Sequence, residues 1–317
     1  MEVDKVENRA RWTGLPLELA AEMVRVPDEE QQADAFAALK KSICALNGRR
    51  ERPLLSHDEV SQLIDQLSIR RENPSRHYKI LKRINVKTYT ARSTKDNHHF
   101  AIKSVPEPPD DKSRQELMHE IFALGVIFSP NKVTYVDAFV FKAHYFLVME
   151  LLEGGSIAEV VRAGQGTYSE AFCKYTVYGV ANGLKALHDL DVIHHDIQSI
   201  NIQCSLEGDV KIADFSRASV LTREEKFKRS GNSNSGEVEL ALSCPAPEIA
   251  FGSEYGLEVD IWSLGVMAYE LATGSIPSDP NNIMVDLPPR ISAPYQSFIQ
   301  RCLQVDPRER PGINQLL

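Results

Sequence analysis

The sequence predicts an α+β chain of two unlike lobes, a small antiparallel sheet with one helix and then a larger helical lobe. Three observations carry this expectation. Between Tyr78 and Leu152 the runs HFAIKSV, VTYVDAFVF and HYFLVMELL are rich in β-branched and aromatic residues, the composition of strands. After the first of them, Ser113 and Glu116 form a capping-box signature ahead of LMHEIFALGVI, which predicts one helix. From Gly154 onward apolar residues recur mostly at helical spacing. Ile261 to Leu271 is apolar nearly all round, as in a helix buried inside a lobe.

The first 75 residues read differently. They are polar and interrupted by Pro16, Pro27, Pro53 and Pro74. Within them, Ala33 to Leu46 has apolar residues at helical spacing, and His57 to Leu67 places Val60, Leu63 and Leu67 on one helical face. The expected division is therefore an extension over 1–75, a small lobe over 76–152 and a large lobe over 153–317. In the large lobe, Thr167 and Glu170 resemble a second capping box, followed by Phe172, Tyr175, Val177, Leu184 and Leu187. The stretch Ser230 to Gly236 is small and polar and reads as disordered.

Composition excludes several classes. A net charge of −8 argues against a general nucleic-acid binder. No run approaches the roughly 18 uninterrupted apolar residues of a transmembrane helix. The opening MEVDKVENRARW lacks the apolar stretch of a secretory signal. Five cysteines, without C-x-x-C or Cys/His spacing, read as reduced thiols in a cytoplasmic protein with no zinc site.

The chemistry is concentrated in Val192 to Asn201, VIHHDIQSIN, where Asp196 stands five positions before Asn201. This layout resembles the catalytic loop of protein kinases, in which the Asp takes the substrate hydroxyl proton and the Asn holds magnesium. Its expected companions follow in order. Lys103 ends the FAIK strand and Glu120 lies 17 residues later on the following helix. Asp214, in VKIADFS, suits a magnesium ligand. Met149, Glu150 and Leu152 precede a Gly154–Gly155 pair where an interlobe hinge would hold adenine, with Met149 behind the ring. Ala246-Pro247-Glu248, Asp260 with Trp262, and Arg310 complete the set, Glu248 and Arg310 as a buried ion pair.

These residues resemble the protein-kinase family from Tyr78 to Leu317, with a bilobal kinase fold. Within it the chain resembles the PAK subgroup of Sterile-twenty-like serine/threonine kinases. The strings that carry this are VMELLEGGS at Val148, VDIWSLGVMAYE at Val259 and RCLQVDPRERP at Arg301. The resemblance implies ATP and Mg²⁺ as cofactors and a protein hydroxyl as substrate. Asp196, Lys103 and Glu120 would form the catalytic set; Lys103, Met149, Glu150, Leu152, Asn201 and Asp214 would hold the nucleotide, and Asn201 and Asp214 the metal. RWTGLPLEL at Arg11 resembles the segment after the GTPase-binding motif of PAK proteins, and Ala33 to Leu46 falls where part of their autoinhibitory region lies. The residues before Trp12 lack that motif's apolar and His positions, so Rho-family GTPase binding is expected to be lost.

Four departures stand against ordinary catalysis. KRINVKTYTA, from Lys82 to Ala91, replaces the glycine-rich loop without one Gly, and Asn85 and Lys87 would obstruct phosphate. Ser216 follows Asp214-Phe215 where the family has Gly, and Gln198 stands where Ser/Thr kinases carry Lys. In the segment before Ala246, Ala241 replaces a threonine that bonds the base and Glu237 falls at the activating phosphothreonine, while His195, expected to titrate near neutrality, replaces the Arg that would receive its charge. The large lobe also reads short after Ser275. Two readings follow: a weak kinase acting on protein hydroxyls, or an inactive scaffold that regulates a partner kinase.

Overall fold

The computed structural model describes residues 53–163, 168–229, 244–277 and 287–317. The chain divides into two compact units, residues 1–48 and 49–317, and every described residue belongs to the second. The helix expected over Ala33 to Leu46, the stretch Ser230 to Gly236, and Glu237 and Ala241 lie outside the described residues.

Helix α1 (His57–Asp65) opens the second unit and ends two residues before the expected Leu67. Ser56 and Glu59 cap it reciprocally, each side chain accepting from the other's backbone N–H. Val60, Leu63 and Ile64 bury its apolar face, with Leu67 just beyond. This helix shares a compact unit with the sheet that follows, because its apolar stripe has the small lobe to pack against.

That sheet comprises β1 (Tyr78–Arg83), β2 (Thr88–Ser93), β3 (His99–Pro106), β4 (Tyr135–Phe141) and β5 (His144–Glu150). Its order is β1-β2-β3-β5-β4, antiparallel throughout. Side chains alternate between faces. Phe100 and Ile102 therefore join Tyr78, Phe139 and Val148 in a core on one face. The ring of Tyr78 meets Phe100 and Phe139 edge-on at 5.5 and 5.9 Å. Ala101 and Lys103 turn to the opposite face. The sequence did not single out β1, for only Tyr78 of its six residues is buried and no alternation marks it.

Helix α2 (Asp111–Ile121) crosses between β3 and β4. Its cap lies three residues upstream of the expected one. The Asp110 carboxylate accepts from Ser113 N at 2.8 Å, and an ionised acceptor at a helix N-terminus outcompetes a hydroxyl. The helix ends in one buried π turn over Phe122–Val126.

The large lobe contains α3 (Ile157–Ala163), α4 (Glu170–His188), the strand pairs β6 (Val192–Ile193) with β9 (Ser219–Val220) and β7 (Ile202–Cys204) with β8 (Val210–Ile212), and β10 (Lys228–Arg229) paired to β11 (Glu254–Tyr255). Helices α5 (Pro247–Ala250), α6 (Glu258–Thr273), α7 (Ala293–Cys302) and α8 (Ile313–Leu316) complete it. Helix α4 is capped by Ser169, which accepts from Phe172 N; Thr167 lies outside the described residues. Tyr175, expected on the apolar face of α4, is exposed and donates to Gly208 O at 3.1 Å. Helix α6 is buried almost all round, as expected, and Gly274 at φ 81° closes it in the left-handed conformation that glycine adopts freely. No described helix is long and apolar enough to cross a membrane.

Between the lobes, Gly154 donates to Cys204 O, and a Cβ there would stand 2.7 Å from that same carbonyl oxygen. Only glycine allows this approach. Deep in the large lobe, Arg310 forms a bidentate pair with Glu248 at 2.5 and 2.8 Å and lies 4.9 Å over the Trp262 ring. Replacing Arg310 with Met leaves the Glu248 carboxylate buried without its partner. We expect Arg310→Met to cost about 3–5 kcal/mol, read as a lower denaturant midpoint at unchanged slope, and Glu248→Leu/Arg310→Met together to cost less.

Candidate active site

Strand β3 delivers Lys103 to the cleft, opposite Thr88 of β2 and Leu147 of β5. Its ammonium lies between two carboxylates. It contacts Glu120 from α2 directly and Asp214 Oδ1, after β8, at 3.1 Å. Burial pushes the Lys103 pKa down, but the two carboxylates outweigh it and hold the group above its ordinary value. Burial raises Asp214 in turn, and Lys103 and the Ser216 bonds reverse that, leaving it below the carboxylate range. Asp214 sits at φ 58°, a left-handed conformation that Asp tolerates better than most residues.

The loop bearing Asp196 hangs from a buried carboxylate. Asp260 of α6 accepts from His194 N at 2.8 Å, His195 N at 2.9 Å and the His188 ring at 2.9 Å. The sequence flagged Asp260 without a role; this is its role. Asn201 donates its amide to the Asp196 carbonyl at 2.9 Å, which leaves its side-chain oxygen as an acceptor. Ala213 N donates to Asn201 O, bringing Asn201 beside the strand that ends at Asp214. Gln198 donates its amide to Asp196 Oδ1, and the Arg217 guanidinium lies 3.8 Å from Asp196 Oδ2. Nothing local in the sequence marks Arg217, because only the fold brings it to this carboxylate.

One carboxylate, Asp214, and one amide oxygen, that of Asn201, suit Mg²⁺, which is commonly held by one or two carboxylates together with substrate phosphates. Among the described residues, no group of three or more His, Cys, Asp and Glu is placed to hold a metal. The donor set therefore fits a metal that arrives with phosphate.

Met149 and Glu150 end β5, and Leu152 lies just beyond it. The Glu150 carboxylate has its own task. It pairs with Lys211 of β8 at 2.7 and 2.8 Å and accepts from Thr134 N, tying the hinge to the large lobe.

The turn between β1 and β2 closes on itself. Asn85 Oδ1 accepts from Lys87 N at 3.0 Å and Thr88 N at 2.9 Å, while Ile84 N and Asn85 N both donate to Thr88 O. Arg83 donates to the Asn85 and Val86 carbonyls. Obstruction by Asn85 was expected, but the stronger effect is that these backbone donors already have partners. A phosphate would have to displace those bonds.

Two groups depart from their expected charge. His195 was expected to titrate near neutrality. Burial pushes its pKa down to about 4, and its ring is bonded to Ser219 Oγ at 3.0 Å and packed edge-on against Tyr255. It is therefore neutral at pH 7. Lys132 is buried behind Phe215 and lowered to about 7 by desolvation.

The profile of the protein kinase domain matches residues 85–317. The chain belongs to the protein kinase family. Among its relatives, the serine/threonine-protein kinase shk1/pak1 of Schizosaccharomyces pombe is 33% identical over 249 residues, covering 72% of this chain and 35% of that protein. Serine/threonine-protein kinase pakC of Dictyostelium discoideum is 30% identical, covering 82% and 56%. Serine/threonine-protein kinase PAK 1 of Mus musculus is 29% identical, covering 85% and 50%. The chain spans about a third to just over half the length of these relatives. The small sheet, α2 and the helical lobe are thus the two lobes of a kinase domain.

The Lys132 shift has a measurable consequence for this domain. Below pH 7 the lysine is charged in both folded and unfolded chains, and the full desolvation penalty weighs on folding. Between about pH 7 and pH 10.5 the folded chain sheds the proton while the unfolded chain keeps it, so this group's penalty fades as pH rises. Lys132→Met should be the more stable protein at pH 6, and the gap should narrow steadily by pH 9 in denaturant titrations.

Proposed function

We propose that this chain is a PAK-like serine/threonine protein kinase domain that binds Mg·ATP weakly and transfers phosphate slowly. One observation carries the reading: Lys103 is paired at once with Glu120 and Asp214, so the charged core of a phosphoryl-transfer site is assembled.

In this reading Lys103 holds the α- and β-phosphates and Glu120 fixes its ammonium. The backbone of Glu150 and Leu152 receives the adenine, with Met149 behind it. Asn201 and Asp214 hold Mg²⁺, which neutralises charge on the phosphates when bound. Asp196 orients the acceptor hydroxyl and takes its proton. The weakness comes from positioning. The β1–β2 turn offers few free backbone donors to phosphate, Gln198 brings no cation, and Ser216 narrows the backbone freedom beside Asp214.

A second reading, a pseudokinase that scaffolds or regulates an active partner kinase, is favoured by Asp196 itself. Its Oδ1 accepts from Gln198 and its Oδ2 faces Arg217, so both oxygens meet donors before any substrate hydroxyl arrives.

Calorimetric titration should give weak ATP binding that strengthens with Mg²⁺ and loses that gain in Asp214→Asn. Sub-micromolar binding indifferent to metal would overturn the site assignment. Transfer to a basic serine peptide should fall far below the usual ~1–100 s⁻¹ of kinases. What remains should drop a further ~10²–10⁴-fold in Asp196→Asn, since that change removes the base. Binding without any transfer selects the pseudokinase, and ordinary rates that vanish in Asp196→Asn exclude both readings of weakness.

A further inference from the structure

Lys132 is the one described lysine that is completely enclosed and has no carboxylate in ion-pair range. Its ammonium donates to Leu124 O at 2.6 Å and Val133 O at 2.8 Å, and it stands 5.2 Å from the centroid of the Phe215 ring. On another side of that ring, His194 packs edge-on at 5.2 Å. Enclosing an ammonium among apolar groups costs free energy that Met or Leu would not incur. Packing alone therefore does not account for a lysine here. The charge reaches three places at once: the π turn that ends α2, the entry to β4, and the residue next to Asp214.

We propose that Lys132 is a positioning residue, fastening the Phe215 ring to the end of α2 and so holding Asp214 where it meets Lys103. The proposal rests on the nucleotide-site reading above and goes one step deeper. Leu124 lies in the turn that continues the helix carrying Glu120, where backbone carbonyls lose their intrahelical partners. Lys132 supplies a donor to one of them and presents its remaining charge to the ring face, an attraction strengthened by the dry surroundings. The neighbouring backbone is braced too, since Val133 N donates to Ile212 O and Ile212 N donates to Asn131 O. One residue thus ties both carboxylates that flank Lys103 to a common support. Asp214 needs such a support, because its own backbone is held in the left-handed conformation at φ 58°.

Lys132→Met in the whole chain tests this, because it keeps the length and apolar stem and removes the ammonium. We expect the melting temperature at pH 7 to hold or rise, and ADP affinity without metal to stay within about twofold. The gain in ADP affinity on adding Mg²⁺ should shrink by about tenfold, within the range of a desolvated cation–π contact. Hydrogen exchange over Ala213–Ser219 should quicken. Phe215→Leu should give the same loss, and the double variant no more than either single one, since both act through one contact. An unchanged metal-dependent gain with unchanged exchange overturns the proposal. So does equal weakening with and without metal alongside a lower melting temperature, the mark of a merely structural lysine. A wild-type chain with no metal-dependent gain refutes the nucleotide-site reading instead. Exchange then decides alone: faster exchange in Lys132→Met upholds the fastening, and unchanged exchange ends it.

Discussion

The ammonium of Lys103, caught between Glu120 and Asp214, is the contact on which the cleft depends. It joins the consecutive elements β3 and α2 to the end of β8, about a hundred residues further along the chain. A buried charge with no partner is costly, so each member constrains the other two. If α2 swung outward, Lys103 would lose Glu120. If Phe215 left its pocket, it would lose Asp214. The sheet face that carries Lys103 and Ala101 is therefore kept in one relation to the helical lobe by electrostatics, while the opposite face is held by the Tyr78–Phe100–Phe139 core.

The two ends of the cleft have diverged in physical character. At Lys103 the ammonium is matched by two carboxylates, Glu120 and Asp214. At the β1–β2 turn, neutral hydrogen bonds close the backbone upon itself through Asn85. A glycine-rich turn leaves its N–H groups free because water satisfies them until phosphate arrives. Here two internal oxygens, Asn85 Oδ1 and Thr88 O, accept from them, giving a hairpin closed by its own bonds.

What the sequence disclosed follows from what is local. Lys103, Glu120, Asp196, Asn201 and Asp214 were legible because their spacing along the chain is characteristic and their residue types are few. The α2 cap was misplaced by three residues because Asp110 and Ser113 both carry capping side chains, and only geometry shows which oxygen accepts. The turn's lost glycines were legible, but the use Asn85 makes of the freed space was not. Lys132, Arg217 and the Glu150–Lys211 pair were invisible, since each owes its meaning to partners separated by tens of residues or more, or to burial that composition cannot reveal. His195 shows the same limit. Its side chain suggested a group titrating near neutrality, and its enclosure makes it neutral.

That neutrality changes how the segment after Asp214 is held. An Arg at this position would offer a permanent charge to a phosphate or carboxylate. A neutral His195 bonded to Ser219 offers none. The described start of the segment is secured from another direction. Arg223 N donates to Leu55 O at 2.9 Å and its guanidinium to Leu54 O at 2.6 Å, while His57 bonds Thr222 at 3.1 Å and its backbone N–H bonds Glu224. The exposed Arg223–Glu59 pair adds little by itself, as surface ion pairs do. The backbone bond is different, for it leaves α1 and the segment sharing one hydrogen-bonded seam. An anchor of that kind does not wait for a modification: it forms when α1 folds against the small lobe, and it holds Thr222 to Glu224 whatever the charge state of His195.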